Sequence, residues 1–401
     1  MLRQEEIAEV IDLQREVFLH KDVEVIREAL PDVPIIDGYA TIIKGIRRCG
    51  KSTLLLQLLN TQYKEAIYLN FEDIRLAGFD VSDFARFLNE IIKRGIKVIF
   101  LDEIQLIGQW EIFVNQLLRE GYTVFITGSN ALLLSKELGT HLTGRHVSIE
   151  LFPFSYQEYL TFKNAPVTAD SFNDYLTNGG IPEYVRNSKG IILNNLLNDI
   201  LIRDIAVRHA VRDVESLRQL AVYLITNVGT LVSANKLVGM FGIKSSATIL
   251  EFFSYFKDAY LMEFVPQFSY SIKAQVRNPK KIYAIDTGIV TEVSTAFTDN
   301  IGHKLENLIY IHLRRMGGDI FYYHEKRECD FVVFKKGKAV KAVQVCYQID
   351  DLNFEREYNG LLDAMHAFQL KEGVIVSMNQ SDEFNKEDCK VKIVPAFEFL
   401  T

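Results

Sequence analysis

Residues 41–53 combine an apolar run with glycines, a lysine and hydroxyl side chains at a spacing that suits phosphate binding. The run Thr41-Ile42-Ile43-Lys44 leads directly into the pattern Gly-x-x-x-x-Gly-Lys-Ser of a P-loop, or Walker A motif, Gly45-Ile46-Arg47-Arg48-Cys49-Gly50-Lys51-Ser52-Thr53. The glycines let successive N–H groups face a phosphate chain, and the following helix adds its positive N-terminal end. Lys51 is expected to reach the terminal phosphates and Ser52 to ligate Mg²⁺. The pattern predicts binding of ATP and Mg²⁺, against the alternative of a glycine-rich turn before an ordinary helix.

A second apolar run ends in two adjacent carboxylates, Val98-Ile99-Phe100-Leu101-Asp102-Glu103. One strand–helix unit separates it from the P-loop, which is the position of a Walker B motif. Asp102 is expected to hold Mg²⁺, usually through water, and Glu103 to polarise the water that attacks the phosphate. The alternative is a strand that simply ends in charged residues.

Small polar side chains follow the next apolar run, in Ile126-Thr127-Gly128-Ser129-Asn130. Ligands bind at the carboxyl edge of parallel sheets, so Ser129 or Asn130 could orient the water beside Glu103. A helix N-cap role for either residue is equally open, and the two roles are compatible. Further along, Arg145 could be a finger supplied to a neighbouring subunit's phosphate, or a surface arginine.

Strand-like and helix-like runs alternate around these residues. Strands are expected at Ala66–Phe71, Lys97–Leu101, Tyr122–Thr127 and His146–Leu151, and helices at Lys51–Gln62, Val81–Arg94 and Trp110–Arg119. Strands separated by helices predict a doubly wound α/β fold, in which helices cover both faces of a parallel sheet. Before the P-loop, residues 4–30 have apolar positions at helical spacing, which predicts a helical preface with one apolar side, Ile7, Val10, Ile11 and Val17.

Length and composition set the outer bounds. A chain of 401 residues exceeds what one hydrophobic core usually serves, so two or three domains are expected. A net charge of −7 argues against a protein that grips nucleic acid with its whole surface, although local basic clusters remain open. The four cysteines have no C-x-x-C spacing, and no stretch approaches the length of a spanning helix. The expected location is the reducing cytoplasm, without membrane contact.

An ordered set of motifs extends the P-loop along the chain. After the paired Arg47-Arg48 come Leu101-Asp102-Glu103-Ile104-Gln105, Thr127-Gly128-Ser129-Asn130, Leu142-Thr143-Gly144-Arg145, Leu151-Phe152-Pro153-Phe154-Ser155-Tyr156-Gln157-Glu158-Tyr159-Leu160 and Gly179-Gly180-Ile181-Pro182-Glu183-Tyr184. In this order they resemble prokaryotic AAA-type ATPases fused to an uncharacterised C-terminal domain of restriction-endonuclease-like, DUF4143 type. The resemblance covers nearly the whole chain. It implies ATP hydrolysis, a finger role for Arg145 and a helical lid over the nucleotide, and it does not supply a substrate.

The middle of the chain divides into two predicted modules. The lid is expected at residues 161–213, where Arg203 or Arg208 either faces phosphate or belongs to a solvated face. Residues 214–295 predict a winged helix, with helices at Glu215–Asn227, Ser233–Phe241 and from Ser245 to Ala259. Strands at Tyr260–Phe268 and Ile282–Ile285 flank a basic wing that holds Lys273, Arg277, Lys280 and Lys281. This arrangement suits DNA contact, and a winged helix used only for packing or protein contact is the alternative.

Residues 296–401 predict an α/β tail that resembles a degenerate nuclease. The order Glu306, Asp330, Gln344-Val345-Cys346 is similar to the endonuclease pattern E…D…(E/D)-x-K, in which carboxylates bind Mg²⁺ and the lysine helps generate hydroxide. Gln344 replaces the second carboxylate and Cys346 replaces the lysine. Glu328 falls on the same strand face as Asp330, whereas Lys341 falls on the face opposite Gln344. The tail is therefore expected to bind or to stabilise, not to cut.

These elements predict a P-loop ATPase domain at residues 1–160, followed by the lid, the winged helix and the tail. The leading hypothesis is a nucleotide-driven switch or motor that acts through the C-terminal modules on DNA, with ATP and ADP as ligands. One rival is a protein–protein scaffold whose assembly is set by nucleotide, and an ATP-gated nuclease is disfavoured by Gln344 and Cys346. A homo-oligomer is compatible with the sequence, which does not fix the oligomeric state.

Overall fold

The structure is a computed structural model that describes residues 1–21, 23–63, 65–128, 144–295, 300–386 and 388–401. The contacts divide the chain into two compact units. The first consists of residues 1–152 with 258–260, and the second of residues 153–257 with 261–401. The predicted Ser129 and Asn130 lie outside the described residues, as do residues 131–143.

The first unit alternates strands and helices. Its strands are β1 (Ala40–Lys44), β2 (Ile67–Asn70), β3 (Val98–Asp102), β4 (Thr123–Gly128) and β5 (His146–Glu150), and its helices are α1 (Gln4–Leu19), α2 (Lys51–Gln62), α3 (Asp83–Arg94) and α4 (Trp110–Arg119). Short 3₁₀ turns lie at Ile74–Leu76 and Ile104–Leu106. The predicted strands and helices differ from these by a few residues at their ends.

The five strands form one sheet in the order β2-β3-β4-β1-β5, and all neighbouring pairs are parallel. The register places Asn70 beside Asp102, Asp102 beside Thr127, and Lys44 beside Gly128. Because parallel strands end at the same edge, this register brings the P-loop and the predicted Walker B carboxylates together. The parallel sheet predicted from the alternation of strands and helices is confirmed.

Alternating residues of these strands line the two faces of the sheet. Ile99 and Leu101 lie in one apolar core with residues of α1, α3 and α4, whereas Phe100 packs edge-on against Phe125 on the opposite face. Burial of both faces explains why the strands are continuous apolar runs. This packed core is a rigid support for the polar side chains at the carboxyl edge of the sheet.

The helical preface is shorter than predicted. Helix α1 ends at Leu19, and the described residues 20–21 and 23–39 form neither helix nor strand. Val17 is 74% exposed and Phe18 is buried in its place, stacked 4.1 Å from the ring of Tyr68. The irregular segment satisfies its backbone differently, since the N–H of Arg27 donates to Gln57 and the Gln57 amide donates to Val25. These tertiary hydrogen bonds replace the intrahelical ones that continued helix would have made.

The second unit begins with helices. These are α5 (Tyr156–Lys163), α6 (Ala169–Asn178), α7 (Pro182–Asn187) and α8 (Ile191–Asp199), which continues as a π-helix over Ile200–Val207. Gly180 approaches another backbone closely, because a Cβ there would collide with the carbonyl oxygen of Phe154. The N–H of Gly180 donates to the buried carboxylate of Asp286 over 2.6 Å, and burial raises the pKa of Asp286 to about 6.

Three short strands and five helices follow in the described residues. They are α9 (Val214–Thr226), β6 (Leu231–Val232), α10 (Ala234–Leu237), α11 (Ser246–Asp258), β7 (Met262–Pro266), α12 (Ile272–Arg277) and β8 (Lys280–Ala284), with α13 at Thr287–Val293. The strands form an antiparallel sheet in the order β6-β8-β7. The segment between β7 and β8, predicted as a loop, contains α12.

Lys281 does not belong to the predicted basic wing, because it is buried. Its side chain is only 3% exposed, and its ammonium faces carboxylates of the same unit. Lys280 is half-buried and donates to the carbonyl of Val276, whereas Lys273 and Arg277 are exposed. The correction follows from strand alternation, because Lys281 lies in β8 and shares one face of that strand with Tyr283, whose hydroxyl also contacts Glu306.

The end of the chain forms a six-stranded mixed sheet with three helices. The helices are α14 (Ile301–Arg315), α15 (Phe354–Ala367) and α16 (Ala396–Phe399), and the strands are β9 (Asp319–His324), β10 (Glu328–Lys335), β11 (Lys338–Val345), β12 (Glu372–Ser377), β13 (Asp382–Lys386) and β14 (Cys389–Pro395). The strand order is β13-β14-β12-β11-β10-β9. Strands β9, β10 and β11 form an antiparallel meander, and β11 then pairs with β12 in parallel. Among the described residues, none of the helices combines the length and the apolar composition that a membrane span requires.

Candidate functional site

The P-loop backbone adopts conformations that need its two glycines. Gly45 has φ +147° and a Cβ there would collide with the carbonyl oxygen of Leu151. Gly50 has φ +99° and lies at the N-cap of α2, where a Cβ would come within 2.9 Å of Arg27 Nη1. Side chains are disfavoured at both positions by strain and by contact. The loop can therefore turn from β1 into α2 with its N–H groups gathered at the start of the helix.

Lys51 is buried, and its ammonium is held by the loop that precedes it. Its Nζ donates to the carbonyl oxygens of Gly45 and Ile46, each at 3.1 Å. A buried cation is costly unless it is paired or hydrogen-bonded, and two neutral carbonyls satisfy only part of its capacity. The ammonium of Lys51 therefore lies at the loop and can donate a further hydrogen bond to an anion.

Asp102 is the centre of a polar network at the end of β3. Its Oδ2 accepts hydrogen bonds from Ser52 Oγ at 2.7 Å and from Tyr68 OH at 2.6 Å, and its Oδ1 accepts from Thr127 Oγ1. One hydroxyl comes from α2, and the other two come from β2 and β4, the strands that the sheet order places on either side of β3. Asp102 is 3% exposed, and these donors compensate for its burial.

Glu103 follows Asp102 in a left-handed conformation with φ +56°. Its N–H donates to the carbonyl of Thr127 at 3.1 Å, and its carboxylate accepts from the side-chain amide of Gln105. Removal of the carboxylate from water raises the pKa of Glu103 to about 7, with Asp102 adding to the rise and Lys51 opposing it. A carboxylate with a pKa near neutrality is suited to proton transfer.

Comparisons with known proteins agree with this geometry. Residues 37–160 match the model of an AAA domain, and residues 169–300 match a domain of unknown function (DUF8612). An uncharacterised protein of Methanocaldococcus jannaschii is 33% identical over 92% of this chain and 89% of its own length. One from Haemophilus influenzae is 30% identical over 80% of this chain and 85% of its own. The chain belongs to the same family as these two proteins. Its AAA domain indicates nucleotide binding.

The sequence patterns did not indicate two functional polar residues of the first unit, Arg27 and Tyr68. Arg27 is buried and donates to the carbonyls of Cys49 at 2.6 Å and Phe152 at 2.7 Å, so it joins the P-loop to the end of β5. Tyr68 supplies one of the hydroxyls on Asp102. A tyrosine two residues before the end of a buried strand was a usable signal for Tyr68, whereas nothing local to Arg27 indicates its contact with the P-loop.

The remaining predicted residues of the AAA domain are spread around the P-loop. Arg47 pairs with Glu72 at 3.2 Å, Arg48 is exposed with φ +64°, and burial raises the pKa of the Cys49 thiol. Ile46 is buried, and Thr53 is half-buried on the first turn of α2. Arg145 is exposed just before β5, and its carbonyl accepts from Ala40 N–H at 3.1 Å.

The second unit holds a separate cluster of charges. Glu306 on α14 and both Glu328 and Asp330 on β10 surround the ammonium of Lys281. Gln344 accepts from the N–H of Asp330 and donates to Glu357, so it belongs to the same network. Cys346 is half-buried and contacts the carbonyl of Gln348 instead. The restriction-endonuclease-like character of this region and the DUF4143 label stay predictions.

Proposed function

We propose that the AAA domain binds ATP with Mg²⁺ and hydrolyses it. The observation that carries the proposal is the convergence of Lys51, Ser52, Asp102 and Glu103 at one edge of the parallel sheet. They combine a cation, a hydroxyl and two carboxylates, which are the functional groups needed for phosphoryl transfer to water. The match to an AAA domain supports the same conclusion.

Phosphate binding follows from the loop and the helix behind it. Backbone N–H groups of residues 45–53 would face the phosphate oxygens, and α2 directs its positive N-terminal end at the same place. The ammonium of Lys51 exchanges its two loop carbonyls for the terminal phosphates. That exchange is favourable because phosphate oxygens carry negative charge, which makes the hydrogen bonds shorter and stronger.

The donor set beside the phosphates fits Mg²⁺. Ser52 Oγ and Asp102 Oδ2 lie 2.7 Å apart, and hydroxyl and carboxylate oxygens are the ligands that this ion prefers. When bound, Mg²⁺ would neutralise charge on the phosphates. Ser52 would hold it directly, and Asp102 through water. Tyr68 and Thr127 keep the Asp102 carboxylate in place.

Glu103 is the proposed group that polarises the attacking water. Its carboxylate is partly buried beside Asp102, and in the ionised form it accepts a proton from water at near-neutral pH. Ser129 or Asn130 is proposed to orient that water. Arg145, exposed on the surface, is proposed as a finger for the nucleotide of a neighbouring subunit, which would make the active unit a homo-oligomer.

The C-terminal modules are the proposed output of the ATPase. We propose a helical lid at residues 161–213, a winged helix at 214–295 and a degenerate nuclease-like domain at 296–401. The antiparallel order β6-β8-β7 with α9, α10 and α11 supports the winged helix. Exposed Lys244, Lys273 and Arg277 support DNA as the target of a nucleotide-driven switch or motor.

A protein scaffold is favoured by a different observation on α12 and the turn before it. Tyr270 is 91% exposed, Ile272 77% and Val276 70%, so this segment presents apolar side chains beside its two basic ones. Exposed apolar groups of this kind suit protein contact. Salt-dependent retention on a DNA column separates the two proposals, because phosphate contacts give a steep salt slope and apolar contacts do not. Lys273→Ala with Arg277→Ala should flatten that slope if DNA is the target.

Phosphate release from ATP tests the enzyme proposal directly. We expect turnover that depends on Mg²⁺, stops with a chelator and is absent from Lys51→Ala. Arg119→Ala, at the end of α4, is the matched control because it removes a cation of the same unit outside the P-loop. Equal turnover by wild type and Lys51→Ala would contradict the proposal.

A further inference from the structure

The charged cluster of the second unit is built around one lysine. The Nζ atom of Lys281 lies 2.6 Å from Glu328 Oε1, 2.7 Å from Asp330 Oδ1 and 3.0 Å from Glu306 Oε1. Lysine has three N–H donors and no acceptor, so three carboxylate oxygens satisfy it completely. Glu306 and Asp330 are buried with it, whereas Glu328 is partly exposed at the rim.

Neighbouring groups orient each buried carboxylate. Tyr283 OH donates to Glu306 Oε1 at 2.6 Å, and the N–H of Val345 donates to Asp330 Oδ2 at 2.9 Å. On the strand beside Asp330, Gln344 donates to Glu357 at 2.5 Å. These hydrogen bonds fix the carboxylates in place. If the carboxylates moved apart to make room for another cation, the hydrogen bonds would have to break.

The predicted endonuclease pattern assigns Mg²⁺ to Glu306 and Asp330, and this structure does not fit that ion. An ammonium occupies the space between the carboxylates on which the ion would depend. Across the described ranges, no group of three or more His, Cys, Asp or Glu residues is arranged to hold a metal. Gln344, at the position of the missing carboxylate, is engaged with Glu357 and Asp330.

We propose that Lys281 supplies the cation of this cluster from within the chain, so that the cluster is a metal-independent ionic lock. The lock joins β8 of the three-stranded sheet to α14 and to β10 of the six-stranded sheet. It fixes the proposed winged helix to the nuclease-like domain within one unit. It also excludes a divalent ion from the place where cleavage chemistry would need one.

Electrostatics supports a charged lysine at this position. Burial alone would lower the pKa of Lys281, but Asp330, Glu306 and Glu328 outweigh it and the pKa lies well above its usual value. Burial and the charge of Asp330 raise the pKa of Glu306 to about 7. Removal of the ammonium would leave these carboxylates uncompensated, which is the costly way to break a buried ion pair.

Terbium(III) luminescence tests the proposal, because Tyr283 lies against the cluster and can sensitise a bound lanthanide. The proteins are the full chain, Lys281→Ala, and Lys280→Ala as the control one residue away. Because Tyr68 lies against the proposed Mg²⁺ site at Asp102, every protein in this test also carries Tyr68→Phe, and wild type here means the chain that is otherwise unchanged. On that background we expect no sensitised emission from wild type or Lys280→Ala, and saturable emission from Lys281→Ala that Mg²⁺ or Mn²⁺ displaces. The melting temperature should be unchanged by a chelator in wild type. In Lys281→Ala it should fall by roughly 10 °C and recover in part with Mn²⁺.

The measurement on wild type tests the proposed metal-independent lock even if Lys281→Ala does not fold. Saturable emission from wild type that Glu328→Gln abolishes would show that the cluster takes a divalent or trivalent ion beside Lys281, and the proposal would fall. No emission, with a melting temperature independent of chelator, supports it. Lys281→Met, which keeps the length of the side chain without its charge, separates loss of the ion pairs from loss of packing. It should lose as much stability as Lys281→Ala if the ion pairs dominate.

Discussion

The hydroxyl of Tyr68 donates to Oδ2 of Asp102 over 2.6 Å, so the strand beside the Walker B strand holds the carboxylate proposed to position Mg²⁺. The ring of Tyr68 stacks on Phe18 at 4.1 Å, which fixes the direction of the hydroxyl. Groups that orient a metal-binding carboxylate typically contribute a factor of 10 to 100 in metal affinity or activity. Tyr68 is therefore a positioning residue for the proposed ATPase.

Tyr68→Phe should raise the Mg²⁺ concentration for half-maximal ATP hydrolysis by roughly tenfold. The variant keeps the stacked ring and removes only the hydrogen bond, so its fold should be intact. Tyr63→Phe, which removes a hydroxyl outside the Asp102 network, is the matched control. A Mg²⁺ dependence identical in the two variants would remove Tyr68 from the proposed site.

Glu103→Gln should bind ATP with near wild-type affinity and fail to turn it over. The amide preserves the size of the side chain and leaves Lys51, Ser52 and Asp102 in place, but it cannot accept a proton from water. We expect a loss of at least roughly 100-fold in kcat, within the range of general-base catalysis. Nucleotide binding by fluorescence and phosphate release measure the two properties, and unchanged release by this variant would refute the role of Glu103.

The pH dependence of kcat/KM should report the ionisation of Glu103. Its pKa is raised to about 7 and the ionised form is the active one, so activity should rise with pH and level off above neutrality. At pH 6 we expect kcat/KM to be about a tenth of its plateau value, because a single ionisation controls the acidic side of the pH profile. ATP binding to Glu103→Gln over the same range reports titration of the substrate itself. A flat kcat/KM profile between pH 5.5 and 8, after that correction, would contradict the assignment.

Arg145→Ala should abolish any rise of specific activity with protein concentration while sparing ATP affinity. A finger supplied in trans acts only when subunits meet, so turnover per subunit should increase as the protein assembles. Sedimentation at the assay concentrations gives the oligomeric state, and Arg119→Ala, another exposed arginine of the same unit outside the P-loop, is the comparison variant. Constant specific activity in a protein that is monomeric throughout would exclude action in trans.

The C-terminal unit should not cut DNA. We expect no cleavage of single- or double-stranded DNA with Mg²⁺ or Mn²⁺, with or without ATP, because Lys281 fills the carboxylate cluster and Cys346 cannot replace a lysine. Lys341 does not rescue the site, since its ammonium lies 4.3 Å over the ring of Phe399. Cleavage that disappears in Asp330→Ala would show an active set of ligands there.

The sequence alone determined the P-loop pattern, the adjacent carboxylates Asp102 and Glu103, and the alternation of strands and helices that the parallel sheet confirms. These are local features, since glycine conformations, apolar runs and the end of a strand are all encoded within a few residues. The tertiary structure decided which distant polar groups meet. Arg27 contacts the P-loop from an irregular segment, and Tyr68 contacts Asp102 because β2 lies beside β3. Lys281, predicted to belong to the basic wing, is instead buried against three carboxylates. The physical reason is that a buried charge is stable only with its partners, and those partners are chosen by sheet order and register, which no short stretch of sequence contains.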